Sequence, residues 1–459
     1  MRSSRLSAAL AVPLVVALAA CSSSGTPGGK GVGDEYFPKI GNGGYDAKHY
    51  SLDLDYNLGG QPLTGRADIT ATATKDLSAF SFDLLGMTVH EVTVDGHKAG
   101  FKRDGQELTV RPNVTLEEGT TFHTVVSYSG KPEKITDPDE SEEGWLPTDD
   151  GALALGEPTG SMAWFPGNHT PSDKASYDVR VSVPDGLEAV SNGELTKRST
   201  AGGRTTFNWH TAQPMASYVA MLAIGKYDIK QYKTPDGLPV YTAVDPSQAD
   251  ASKDVLAQLP DVMAWETKMF GPFPFSSTGA VVDKNGASGY ALETQNRPVF
   301  PGSPSIGSLV HEMSHEWYGD SVTPKSWRDM WLNEGFATYA GWLWGADHGG
   351  DSVQAVFDRQ YAKPADDAVW SFPPGKPSGA DHISDAPVYQ RGAMVLHEIR
   401  KTIGDAKFFA LLKSWPASHR YGNADTADFT KYVEQQNPDK NLKPVWDVWL
   451  YGKGKPAHP

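Results

Sequence analysis

Residues 51–56 alternate polar and apolar side chains, with Leu52, Leu54 and Tyr56 on one face, and residues 80–84 repeat the pattern. A period of two marks a half-buried strand. Val92-Thr93-Val94 runs into Asp95-Gly96, which predicts a strand and a two-residue hairpin turn. Residues 177–183 alternate again and stop at Pro184-Asp185-Gly186, and residues 215–225 read as a buried closing strand. These elements predict a β domain over residues 45–228, a two-layer sandwich or saddle. Alone it would read only as a binding module. The acidic stretch 137–143 reads as a solvated loop.

From residue 229 the pattern turns helical. One helix is predicted over 252–270, stopped by Gly271-Pro272-Phe273-Pro274. Short strand-like stretches at 279–283 and 290–300 precede a helix that starts near Ser305, after Pro304. A second helix spans 329–344 and ends before Gly349-Gly350. The Pro- and Asp-rich stretch 363–387 reads as a loop, and helices recur at 388–402 and 427–436. The predicted fold class is α+β: the β domain, then a mainly helical domain over 229–459. No internal repeat is present.

The helix beginning near Ser305 carries His311-Glu312-Met313-Ser314-His315. Positions four apart share one helix face, so His311 and His315 can chelate one metal ion. Glu334 follows on the next helix and can supply a third ligand. Two imidazoles and a carboxylate are a zinc donor set that leaves a coordination position for water. Glu312, beside the histidines, is placed to take a proton from that water. The competing reading, an amphipathic helix with two core histidines, is weakened by Leu309 and Val310 before the motif, Trp317 and Tyr318 after it, and Glu334 on the second helix. The inventory is that of a zinc hydrolase binding one Zn²⁺.

The stretch His311 to Asp320, followed by Trp331-Leu332-Asn333-Glu334-Gly335-Phe336-Ala337, resembles the gluzincin aminopeptidases of the aminopeptidase N type. Three further segments fit. Tyr290-Ala291-Leu292-Glu293 stands where that family has its G-A-M-E-N motif, Val388-Tyr389-Gln390-Arg391-Gly392-Ala393 is similar to the segment with its catalytic tyrosine, and Gly156-Glu157-Pro158-Thr159, with Phe165-Pro166 after it, resembles the N-terminal-domain segment that enters the active site. The resemblance covers roughly residues 45–455. It implies a thermolysin-like catalytic domain and an aminopeptidase acting on peptides with a free N-terminus. Glu312 would be general base and acid, and Tyr389 the oxyanion stabiliser. Glu293 and, second, Glu157 would bind the substrate ammonium. Read without the resemblance, Tyr389 is equally a packed helix aromatic and Glu157 a loop carboxylate facing water. Asp320 is a candidate to orient a ligand histidine, or an ordinary surface residue.

The chain also departs from the pattern. Only Ala291 and Glu293 of the G-A-M-E-N motif survive, Leu155 stands at the position of a family Gln, and Gly341 stands where many relatives have a glutamate. The chain ends at residue 459, without the large C-terminal helical domain of longer relatives. A zinc endopeptidase and a catalytically silent surface-binding protein are the rival readings.

The 459 residues suffice for two or three domains, 39% hydrophobic content argues against disorder, and a net charge of −15 argues against nucleic acid as a partner. No phosphate-binding glycine loop stands between a strand and a helix. The single cysteine excludes an internal disulfide. Arg2 and Arg5 precede an apolar run over 6–20, too short for a membrane span and suited to a secretory signal. Leu18-Ala19-Ala20-Cys21 resembles the bacterial lipoprotein cleavage box. The expectation is a signal over 1–21, lipidation of Cys21, a Ser/Gly-rich tether over 22–44, and export to the outer face of the bacterial cell membrane.

Overall fold

A computed structural model describes residues 25–58, 62–284 and 288–457. Cys21, the expected lipidation site, lies outside them. The N-terminal part is built on an eight-stranded sheet whose central strands are Lys174–Pro184, Tyr45–Asp55, Leu63–Ala73 and Thr121–Gly130. Lys174–Pro184 runs parallel to Tyr45–Asp55, and the neighbouring pairs are antiparallel. In Tyr45–Asp55 the buried parity switches, from Tyr45 and Ala47 to Tyr50, Leu52 and Leu54. The register shift between Ala47 and His49 explains the switch, because one extra residue turns the following side chains to the other face. The hairpin at Asp95-Gly96 is present: both residues have positive φ, 49° and 76°, and Val94 pairs with His97. A four-stranded sheet holds Leu77–Asp83 and Glu107–Arg111, and a five-stranded sheet holds Glu142–Pro147, Ala152–Leu155 and Leu222–Gly225.

The second part is helical around the helix Trp331–Asp347, buried along most of its length. Among the described residues no helix is long and apolar enough to cross a membrane. The α+β arrangement, β-rich first and helical second, is therefore as the sequence patterns indicate.

Three local expectations need correction. The stretch 252–270 forms two helices, Ala249–Leu256 and Leu259–Phe270, because Pro260 fits only the first turn of a new helix. Asp228–Lys233 and Pro239–Val244 are strands, joining Thr278–Val282 and Val299–Phe300 in one sheet. Asp228–Lys233 is exposed along most of its length and Pro239–Val244 is a short buried run, so neither shows the alternation of a half-buried strand. The acidic stretch 137–143 is not a solvated loop: Asp137 and Glu143 are buried. Glu143 is held inside by accepting from the Thr159 amide (2.9 Å) and hydroxyl (2.8 Å).

The described part of the tether, from Gly25 onward, is folded onto the protein. Thr26 pairs with Leu77, and the Gly28 amide donates to the Ala79 carbonyl. The Asp34 carboxylate accepts from the amides of Tyr36 and Phe37, and from the Ser326 hydroxyl and Trp327 amide of the helical part. Gly/Ser content suggested a flexible chain; the backbone partners and one buried-side carboxylate fix it instead.

The two parts are joined by two cations, a half-buried lysine and a buried arginine. Lys174 donates to the carbonyls of Asp320 (2.8 Å), Ser321 (3.0 Å) and Gly422 (3.4 Å). Arg297 lies 4.9 Å from the ring centroids of both Trp209 and Tyr241 and donates to the carbonyls of Ser191, Gly193 and Tyr241.

Candidate active site

The motif helix spans Ile306–Ser314 and is capped by Ser305, whose hydroxyl accepts from the Ser308 amide. His311 and His315 project from one face, with ring centroids 4.8 Å apart. His315 closes the helix, and the turn that follows brings the Tyr318 carbonyl to 3.0 Å from its Nδ1. That bond keeps a proton on Nδ1, so in the neutral form that a metal requires, the lone pair lies on Nε2. The Nε2 atom is buried and finds no hydrogen-bond partner. Gly319, at φ 145°, keeps the turn close: a Cβ there would lie 3.2 Å from His315 Nδ1. The expected orienting role of Asp320 belongs to this carbonyl. Asp320 is fully buried beside Glu316, and no motif could have signalled a backbone acceptor.

Glu334 comes from the first turn of the Trp331–Asp347 helix. Its Oε2 lies 3.1 Å from His311 Nε2 and 3.5 Å from His315 Nε2. The helix is set by a backbone-to-backbone crossing with the helix Gly392–Ile403, where a Cβ on Gly335 would come within 3.0 Å of the Gly392 carbonyl carbon. This crossing ties Glu334 to the segment that bears Tyr389. Tyr389 lies in the π-helical turn Pro387–Arg391, with its ring parallel to that of His311 at 6.0 Å.

Ligand atoms of His311, His315 and Glu334 all lie within 4.8 Å of one another, and so do those of Glu293, Glu312 and His315. Glu293 is 3% exposed, its Oε1 has no hydrogen-bond donor, and it stands 4.0 Å from His315. Glu157 enters from the N-terminal part, at a cis Glu157-Pro158 bond, on the turn that Thr159 anchors to Glu143. All seven predicted residues of the described chain, His311, Glu312, His315, Glu334, Glu293, Glu157 and Tyr389, line one cavity of about 300 Å³. Tyr290, Asp139, Ser141, Ile383 and Ser384 line it too and were not read from the sequence. Larger cavities elsewhere hold none of these groups.

The electrostatics of the cavity ask for positive charge. Burial lifts Glu157 well above the usual carboxylate range, and Glu293 and Glu334 push it further. Burial also raises Glu293, against the pull of His315, and lifts Glu312 to about 7 against both histidines. Burial would raise Glu334 too, but His315 and His311 draw it down to about 2. Burial opposes a charge on His315, yet Glu293 and Glu334 outweigh it and hold the imidazole charged well above its ordinary range. A divalent cation between two imidazoles and a carboxylate fits this donor set and relieves the clustered negative charge.

The sequence matches the Peptidase M1 N-terminal domain over residues 46–219 and the Peptidase family M1 domain over residues 305–449. It is 27% identical over 329 residues to glutamyl aminopeptidase of Sus scrofa, covering 66% of this chain and 34% of that protein. It is 25% identical over 333 residues to aminopeptidase M1 of Arabidopsis thaliana, covering 67% and 37%. The chain thus spans about a third of the length of these curated relatives. Among solved structures, an M1 zinc metallopeptidase from Deinococcus radiodurans matches with a TM-score of 0.85 and 28% identity, over 94% of this chain and 98% of that one. A mutant of that metallopeptidase bound to a Tyr-Ser-Ala substrate matches equally, with a TM-score of 0.85. With both domains matched in order and the donor set at the expected positions, this chain belongs to the peptidase M1 family.

Proposed function

We propose that this protein is a zinc aminopeptidase that removes the first residue from peptides with a free N-terminus. One observation carries the reading: a three-donor metal cluster and two further buried acids, Glu293 and Glu157, share a single cavity. His311, His315 and Glu334 hold one Zn²⁺. When bound, zinc acts as a Lewis acid that activates water and polarises the scissile carbonyl.

The chain's own groups do the rest. Glu312 accepts the proton of the attacking water and returns it to the leaving amine. The Tyr389 hydroxyl stays protonated, since burial and the surrounding carboxylates raise it well above its ordinary range, and it donates a hydrogen bond to the developing oxyanion. Glu293 and Glu157 receive the substrate ammonium, which places the scissile bond one residue further along. An N-terminal domain to about residue 228 and a catalytic domain from 229 agree with the change of sheet between Leu222–Gly225 and Asp228–Lys233. Export and lipid attachment at Cys21 rest on the cleavage box of the sequence.

The test is a panel of aminoacyl amides with N-acetylated counterparts, on zinc-loaded and chelator-treated protein. Cleavage of the free-amine series only, lost on chelation and restored by zinc, is the expected result. Equal cleavage of N-acetylated substrates would replace the exopeptidase reading with an endopeptidase.

A further inference from the structure

Arg391 follows Tyr389 by two residues, closes the same π-helical turn, and is fully buried. A guanidinium carries five N–H donors in a fixed planar fork. Here the acceptors of its bonds are all backbone carbonyls. Nε donates to Trp449 (3.0 Å), Nη1 to Gly454 (3.0 Å) and Phe372 (3.4 Å), and Nη2 to Val448 (3.0 Å) and Gly452 (2.5 Å). Burial lowers the group to about 10, which leaves it charged at neutral pH.

Four of these carbonyls belong to the end of the turn Val445–Leu450 and the chain just beyond it. The last carbonyls of a helical turn have no partner within it and carry partial negative charge. Arg391 satisfies them from the side. Gly452 keeps the cradle tight, since a Cβ there would stand 2.4 Å from the Val448 carbonyl oxygen. The segment is held again at Leu450, whose carbonyl accepts from the Gly375 amide, and at Pro456, whose carbonyl accepts from the Tyr361 hydroxyl.

We infer that Arg391 is the positioning residue for Tyr389, and that the turn Val445–Leu450 with the chain through Gly454 forms its backstop. The inference rests on the proposed role of Tyr389 in the aminopeptidase reading. Lysine in place of Arg391 keeps the charge but has three donors on a flexible stem, so it cannot hold all five carbonyls at once. The π-helical turn is then free to relax, and the Tyr389 hydroxyl leaves the place it must occupy.

The experiment compares Arg391→Lys and Gly452→Ala, each in the wild-type and Tyr389→Phe backgrounds. Readouts are kcat and KM for an aminoacyl amide, bound zinc, melting temperature, and hydrogen exchange of residues 387–392 in the metal-free protein. In the wild-type background Arg391→Lys should lower kcat about 10- to 100-fold, the scale of a misplaced catalytic group. KM should change by less than about threefold, since ground-state binding does not use Tyr389. Zinc should stay at one per chain, and exchange at 387–392 should quicken. In the Tyr389→Phe background the further loss should be less than about twofold, because the group being positioned is gone. Gly452→Ala should follow the same pattern more weakly, and it carries the test if Arg391→Lys does not fold. Equal losses in both backgrounds would overturn the inference, as would unchanged exchange at 387–392. A wild type that binds zinc but releases no first residue would refute the aminopeptidase reading instead. The exchange result alone would then decide whether Arg391 fixes the turn.

Discussion

Replacing Glu293 tests two assignments at once. Among the described residues two clusters could hold a metal: Glu293 with Glu312 and His315, and His311 with His315 and Glu334. In the favoured arrangement Glu293 holds the substrate ammonium and is not a ligand. The carboxylate is 3% exposed, and its Oε1 has no donor in the free protein. An arriving ammonium therefore fills an empty acceptor in a site shielded from water. Charge-assisted bonds of this kind are worth about 1.5–3 kcal/mol. At about 1.36 kcal/mol per factor of ten, Glu293→Gln should lower kcat/KM for a free-amine amide about 10- to 150-fold. Glu293→Ala should lie at the upper end, because it also leaves a gap. Zinc measured by elemental analysis should remain at one per chain in both variants and fall in Glu334→Ala. Substoichiometric zinc in Glu293→Gln would transfer the metal to the other cluster. Unchanged kcat/KM with full zinc would remove the ammonium clamp, and with it the reason for calling the enzyme an exopeptidase.

Glu312→Ala should retain zinc and lose about 10²–10⁴ in rate, the usual contribution of a general base, as read by steady-state kinetics beside a metal assay. Cys21→Ser should move the protein from the membrane fraction to the soluble one with catalysis intact, and a wild type already soluble, with another mature N-terminus, would rule out the anchor. Asp83, fully buried in the N-terminal part, is raised from 3.8 to about 7, mainly by burial. A carboxyl raised on folding favours the fold below its unfolded pKa, and that contribution is lost as pH climbs through about 7. Asp83→Asn should therefore gain on the wild type between pH 4 and 7, by up to about 4 kcal/mol, in urea unfolding at both ends of that window. A difference independent of pH would mean that Asp83 is ionised throughout.

The legibility of this chain divides along a physical line. Residues that act through their own side chains at fixed spacing were readable: His311 and His315 one helical turn apart, and Glu334 on the next helix. The eight-stranded sheet was readable in part, because Tyr45–Asp55 and Lys174–Pro184 alternate as half-buried strands do. What failed was whatever depends on a distant partner. The composition of 137–143 says acidic and solvated, yet Glu143 is buried because Thr159 offers it two donors. The Gly/Ser-rich start says tether, yet Asp34 is bound by Ser326 and Trp327, almost 300 residues on. The Tyr318 carbonyl that sets the His315 tautomer has no residue type to betray it.

These misses share a location, and that bears on how the site works. Glu143 fixes the turn that carries Glu157. Asp34 accepts from the Ser326 hydroxyl and the Trp327 amide at the start of the turn Trp327–Asp329, directly ahead of the helix that carries Glu334. Tyr218 of the N-terminal part donates to the Gly319 carbonyl at 2.7 Å, behind His315. The elements that carry His315, Glu334 and Glu157 are thus held by partners from elsewhere in the chain. The helical part brings the candidate metal donors, and the N-terminal part brings Glu157 to the same cavity together with contacts that support the donors. Residues of both parts line the cavity, so neither part alone supplies its whole wall.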